Sequence, residues 1–238
     1  MKSFGLGTLA TVSSKERYGG FLTSLHAVYD TMERTLDGAA ATPANSIAGG
    51  CWNAHADVLR REGKIRRDLA QVGVAAPRDW AGVEDVKLLT PATREYVARV
   101  SLAAEEDGRD GGGRMLGHLY CRYFADLFGG QALKSPTRLA LALEEGTPTM
   151  YDFNFEEGER GAYIESLYVS LNEAGEALGE DGRKKVEDEA LECFRLNKEL
   201  YLEGGIYGDA WRGSLNIVKG AIFELKPESL KGYGRRKM

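Results

Sequence analysis

The sequence predicts an all-α protein built as a single domain, and three observations carry that expectation. Apolar residues recur at the three- and four-residue spacing of an amphipathic helix along most of the chain. No run of alternating β-branched residues competes with them. The 238 residues, 43% hydrophobic and 28% charged, suffice for one substantial core and show no repeat at a fixed period.

The elements follow in order. "KERYGGFLTSLHAVYDTMERTLD" sets Phe21, Leu25, Val28, Met32 and Leu36 along one helical face. "CWNAHADVLRREGKIRRDLAQVG" reads as a second helix, broken off by "AAPRDWAGVEDVKLLTP". Thr90 suits an N-cap and Pro91 a first-turn position, opening "ATREYVARVSLAAEE". "DGRDGGG" is a flexible loop. The helix of "YCRYFADLFGGQALKS" comes next, then "SPTRLALALEEG", "ERGAYIESLYVSLNEAGEAL" and "EDGRKKVEDEALECFRLNKELYLEGG". "TMYDFNF" is a candidate for a short extended piece, and "GSLNIVKGAIFELKPESLKG" fits either one more helix or a loose tail. The expected limits are an unstructured or partial N-terminal segment over 1–13, a domain over 14–225 and a basic tail over 226–238.

Charge and composition exclude several function classes. A net charge of −5, with basic residues mixed among acids, gives no basic stripe for nucleic acid. No stretch approaches the length of an apolar membrane span. Cys51, Cys121 and Cys193 lie far apart and match no zinc spacing, which points to a reducing compartment, cytoplasm or plastid. The opening "MKSFGLGTLATVSSKER" has no acid before Glu16, yet it is too short and too weakly basic for an organelle transit segment. "DGGGRMLG" lacks the spacing of a phosphate loop and follows no strand. No glutamate stands three residues before His26, His55 or His118, so the di-iron pattern of helical bundles is absent.

The stretch from Tyr120 to Ser135 is the informative one. Gly129 and Gly130 interrupt a helix at a cost of about 1 kcal/mol each relative to alanine. The residues after them, "QALKS", continue in helical character, so the helix is expected to bend and run on. His118, Arg122, Asp126 and Gly129 share one face. Spacing alone is equally served by an exposed Arg122–Asp126 ion pair with the glycines closing the helix. Flanking Tyr120, Tyr123, Phe124 and Phe128 suit a buried element, where bare backbone beside a carboxylate could receive a planar ligand.

"GHLYCRYFADLFGGQAL" resembles the distal-helix signature of the haem oxygenases. "FLTSLHAVYDTMERTLD", "LLTPATREYVARV" and "ECFRLNKELYLE" resemble further segments of that family in order and spacing, from roughly Ser14 to Glu203. The resemblance implies a single-domain haem oxygenase-type helical fold with a bent distal helix. It implies oxidative opening of haem to biliverdin, carbon monoxide and iron, with haem as substrate and cofactor. O2 and electrons from a reductase or ferredoxin would complete the reaction. Asp126 matches the carboxylate that holds the oxygen-activating water network, and Tyr29, Arg122 and Asn197 match its other members. Gly129 and Gly130 match the glycines that let the helix lie on the porphyrin. Tyr120 and Phe194 match wall residues, and Ala125 stands at the usual glycine before the carboxylate, as in plant-type members.

Several positions depart from that pattern. The family's proximal iron ligand is a histidine on the first helix, and no histidine precedes His26 here. His26 is expected in the core, His55 at the surface, and His118 on the distal helix, away from the proximal side. Glu165 and Val169 stand where many members carry basic partners of the haem propionates, and Phe128 replaces a serine. Two alternatives follow: a sequence lacking an N-terminal helix of the working enzyme, or a non-catalytic scaffold of the same fold.

Overall fold

The computed structural model describes residues 2–41, 46–77, 80, 89–156, 158–203 and 206–224. Its elements are α1 (Lys2–Thr11), α2 (Lys15–Ala40), α3 (Ile47–Leu59), α4 (Glu62–Gln71), α5 (Pro91–Asp110) and α6 (Arg114–Ala125). A π-helical turn, Asp126–Gly130, joins α6 to α7 (Gln131–Leu141); a short 3-10 turn, Thr149–Tyr151, then leads to α8 (Glu159–Leu202) and α9 (Ile206–Glu224). No strand occurs among the described residues.

Helix α2 is the central rod. Ser14 caps it by accepting from the Arg17 amide at 3.1 Å. Leu22, Leu25, Val28, Tyr29, Met32 and Leu36 are all buried, as the periodicity requires. α3, α4 and α5 pack around it. The cap and first-turn proline expected of α5 are both present: Thr90 Oγ1 accepts from the Thr93 amide at 3.3 Å, ahead of Pro91. α6 and α8 cross very closely at Gly117, where a Cβ would stand 2.9 Å from the Val186 carbonyl oxygen. A side chain there would force the two helices apart.

Three expectations change, and one division is kept. The second helix is two, α3 and α4, because the chain turns at Arg60 (ψ 127°) to bury Arg61. Its guanidinium donates to the carbonyls of Leu59 (2.8 Å), Val58 (2.6 Å), Met150 (3.1 Å) and Asp152 (2.6 Å), and lies 3.9 Å over the Phe153 ring. The two helices expected over 159–202 are both present within α8, meeting at a kink at Gly179, whose φ of 70° and ψ of −172° suit glycine. "TMYDFNF" is no strand, since the Asp68 carboxylate accepts from the amides of Thr149 (2.7 Å) and Met150 (2.8 Å) and curls the segment into a turn. The segment over 1–13 is a helix packed on α9: Gly213 lies directly against the Leu9 carbonyl, and Asn216 Nδ2 donates to Val12 (3.3 Å) and Ser13 (2.9 Å). "GSLNIVKGAIFEL" belongs to α9 up to Glu224, and the basic tail over 226–238 lies outside the described residues.

Glu33 on α2 starts α4 by accepting from the amides of Arg61 (2.6 Å) and Glu62 (3.1 Å). Burial pushes its carboxyl from the ordinary 4.5 up to about 7, despite those backbone bonds. The folded state therefore holds a proton that the unfolded chain has released, and stability falls as pH rises from about 4.5 through about 7. Glu33→Gln, which keeps an acceptor oxygen, should remove up to about 3 kcal/mol of that pH dependence. Urea unfolding of both proteins across this pH window measures the difference.

Candidate active site

Three helices bring the distal residues together. Tyr29 on α2 donates its hydroxyl to Asp126 Oδ2 in the π turn. Arg122 on α6 donates from Nη2 to the Tyr29 hydroxyl (3.1 Å) and from Nη1 to Asn197 Oδ1 on α8 (2.5 Å). The guanidinium also lies 4.9 Å over the Tyr29 ring. All four side chains are buried. The simple Arg122–Asp126 surface pair is not formed: Arg122 turns inward to Tyr29 and Asn197, and acts on Asp126 through its charge.

The electrostatics follow from dryness. Burial raises the Asp126 carboxyl above its usual range, and the Arg122 charge and Tyr29 hydrogen bond pull it back in part. Burial likewise pushes the Tyr29 phenol well up. The Arg122 guanidinium, set against Tyr29 and Asp126, stays firmly charged although burial opposes it.

The π turn gives the helix two different faces. Asp126 and Gly130 point inward, and Gly130 packs against the Tyr151 ring, with a Cβ position 2.9 Å from it. Ala125, Phe128 and Gly129 point outward and are exposed, with open space where a Gly129 Cβ would stand. Extra carbonyls loosened by a π turn need donors. Arg160, at the start of α8, donates to those of Leu127 and Phe128 (3.3 Å for the latter). Rings border this open face. Phe124 contacts Tyr120, Phe128 and Tyr168 at centroid distances of 5.2, 5.7 and 4.4 Å. Phe128 is 53% and Tyr120 39% exposed, so this border is apolar and accessible, while Phe194, on α8, is 48% exposed and takes part in none of these ring contacts. Glu165 and Val169 are also exposed.

No histidine reaches that face. His26 accepts from Trp80 Nε1 at 2.7 Å and pairs with Glu62 at 2.7 Å, a core residue as expected. His118 is buried against Glu189 at 2.8 Å. His55 is not at the surface but buried, bonded to Ser170 Oγ at 2.8 Å. Among the described residues no cluster of His, Cys, Asp or Glu could hold a metal ion, and no helix is long and apolar enough to cross a membrane. A 910 Å³ cleft lined by residues such as Thr35, Ser46, Asp107 and Met115 contains none of these site residues. Sequence reasoning missed Arg160, whose helical neighbours give no sign of its carbonyl partners.

An all-helical bundle that dries a Tyr–Asp–Arg–Asn network beside a bent, glycine-exposing helix defines the haem oxygenase class of architecture. The sequence profile described as "Heme oxygenase" matches residues 2–203, and the chain belongs to that family. It is 35% identical to heme oxygenase 2 of Synechocystis over 195 residues, covering 81% of this chain and 71% of that protein. It is 28% identical to bovine heme oxygenase 1 over 205 residues, covering 85% of this chain and 63% of the bovine protein. The chain thus spans less than two thirds of the length of the bovine and rat relatives. The fold matches heme oxygenase 2 of Chlamydomonas reinhardtii without heme, with a TM-score of 0.66, 20% identity, and coverage of 86% of this chain and 91% of that one. It also matches heme oxygenase-1 of Synechocystis in complex with heme, with a TM-score of 0.63, 22% identity, and coverage of 93% and 94%.

Tyr29→Phe isolates the central hydroxyl. The substitution leaves Asp126 without a donor and Arg122 without one acceptor, a loss of about 1–3 kcal/mol of stability. It should also move the Asp126 carboxyl further up. Thermal unfolding and a carbon-13 titration of the Asp126 carboxyl report the two effects separately.

Proposed function

We propose that the protein degrades haem to biliverdin, carbon monoxide and iron, drawing electrons from a reductase or ferredoxin. The observation that supports this most is the pairing of a buried, hydrogen-bonded Asp126 with exposed, unobstructed backbone at Gly129 three residues later. Haem, when bound, supplies the redox centre at which O2 is reduced. The residues on the distal side fit such a group. Ala125, Phe128 and Gly129 would hold one porphyrin face, with Tyr120 and Phe194 as walls. Gly130 has a different part, packing the bend from inside.

The four polar residues have distinct tasks in this reading. Tyr29 and Arg122 fix the Asp126 carboxyl through Oδ2 and through charge. Oδ1 takes no hydrogen bond among the described residues and would be available to order water. A carboxyl raised by burial is a readier proton carrier than an ordinary aspartate. Asn197 holds Arg122 from the far side and keeps the guanidinium from turning outward.

A second reading, a haem oxygenase-fold scaffold without catalysis, is favoured by two observations. All three histidines are committed inside the bundle, and an acid and a valine occupy the rim positions where the family resemblance implies basic residues. The deciding experiment supplies hemin, a reductant and O2 and follows biliverdin by absorbance. Biliverdin formation establishes the enzyme; its absence from a hemin-loaded protein leaves the scaffold.

Two variants sharpen the outcome. Asp126→Ala should bind hemin about as well as the parent, yet yield at least about tenfold less biliverdin, since the carboxylate handles protons and does not hold the ring. Gly129→Val should do the reverse. It adds a side chain into open space, so the fold should tolerate it, while hemin affinity falls by about tenfold or more through lost contact with the bare backbone.

A further inference from the structure

Helix α9 is amphipathic in the inverted sense. It turns small residues toward the bundle: Ala210 is buried, and Gly213 and Gly220 lie so close to the Leu9 and Leu139 carbonyls that neither has room for a Cβ. Its bulky apolar residues point outward. Tyr207 is 81% exposed, Trp211 68%, Val218 and Ile222 54% each, and Leu215 38%. Their spacing along the helix places all five within about 80° of one another, in a stripe about 22 Å long. A helix on the surface of a bundle ordinarily turns such residues to the core. An apolar patch this continuous marks a site that another surface covers.

Charge narrows what covers it. Arg212 and Lys219 are both exposed and run along one edge of the stripe. The acids of α9 are engaged away from it: Asp209 pairs with Arg17 (3.8 Å) and Arg212 (3.4 Å), and Glu224 with Arg138 (2.5 Å). The sequence that follows, "LKPESLKGYGRRKM", adds Lys226, Lys231, Arg235, Arg236 and Lys237 against Glu228 alone. A second copy laid antiparallel on the stripe would set Arg212 and Lys219 against their own counterparts, like against like. Laid parallel, it would offer them no carboxylate. An anionic lipid surface meets the same cations with opposite charge, and tryptophan and tyrosine favour the depth of its headgroups. A stripe on one face only is the pattern of a helix lying in the plane of that interface.

We propose that α9 is a membrane-docking helix, laying Tyr207, Trp211, Leu215, Val218 and Ile222 into the headgroup and upper acyl layer of an anionic bilayer, with Arg212 and Lys219 on its phosphates. The glycines on the inner face serve the same arrangement. They let α9 sit flush on α1 and α7, so that the outward residues form a ridge carried by the folded bundle. The docking does not depend on whether haem is degraded.

The test uses the full chain without haem. Trp52 and Trp80 are buried, so Trp211 alone reports on the surface. With vesicles of equal parts phosphatidylcholine and phosphatidylglycerol, the protein should float, and the Trp211 emission should shift to the blue and be quenched by brominated acyl chains. Vesicles of phosphatidylcholine alone should bind at least about tenfold less. Trp211→Glu combined with Ile222→Glu should cut flotation about tenfold or more while thermal unfolding stays as in the wild type, because both side chains stand in solvent. Arg212→Gln combined with Lys219→Gln should weaken binding to the anionic vesicles about tenfold or more. Failure of the wild type to float with anionic vesicles overturns the proposal, as does an unquenched Trp211 or binding retained by either double variant. A wild-type dimer in sedimentation equilibrium that Trp211→Glu dissociates, with no protein on the vesicles, also overturns it and makes the stripe an interface between copies.

Discussion

The hydrogen bond from Tyr29 to Asp126, with Arg122 bracing both, is the contact on which the arrangement of the bundle depends. A carboxylate and a guanidinium leave water at a cost of several kcal/mol each, recovered only when partners meet them in good geometry. Those partners come from three helices far apart in sequence: Tyr29 from α2, Arg122 from α6 and Asn197 from α8. A slip of α6 by one residue would bury the charges unpaired. Apolar packing tolerates approximate fits; this network does not, and it fixes the register in which α2, α6 and α8 meet. Gly117 permits the close crossing that lets α8 deliver Asn197.

The π turn solves a second geometric problem. A regular helix would present Asp126 and Gly129 on one side, since residues three apart are neighbours. Widening the turn lets the carboxylate stay inside while the glycine backbone faces out. The widened turn is stabilised from both flanks. Arg160 takes the loosened carbonyls on the outer edge, and Tyr151 fills the space beside Gly130 within. The two glycines therefore answer different demands, one to accommodate an aromatic ring and one to leave the surface bare.

Much of this was legible in the sequence. The apolar rhythm of α2 and the Thr90–Pro91 start of α5 needed only local rules. The glycine pair announced a bend, and the family resemblance gathered Tyr29, Arg122, Asp126 and Asn197 in advance of any contact. What could not be read was set by tertiary partners. The break at Arg60 and Arg61 depends on carbonyls from Met150 and Asp152, about ninety residues on, and on a carboxylate from α2. The N-terminal segment looked featureless because its partner, α9, comes at the other end of the chain. His55 reads as a polar residue on a variable stretch, and its burial is explained by Ser170 and the Tyr163 ring across the α3–α8 contact.

The division of labour among the histidines bears on which reaction the fold can support. Each of the three is spent on organising the interior: His26 ties Trp80 to Glu62, His55 ties α3 to α8, and His118 ties α6 to Glu189 on α8. Freeing any of them for a metal would strand a buried tryptophan N–H, a serine or a carboxylate without its partner, at a cost of about 1–3 kcal/mol. The open face is instead made of backbone and rings, which recognise a flat apolar surface by shape. Polar chemistry is confined to the dry side of the same helix turn, where Asp126 is held by groups that do not touch the open face. A ligand resting on Gly129 would be gripped by one set of residues and acted on by another, so affinity and chemistry can change independently at this site.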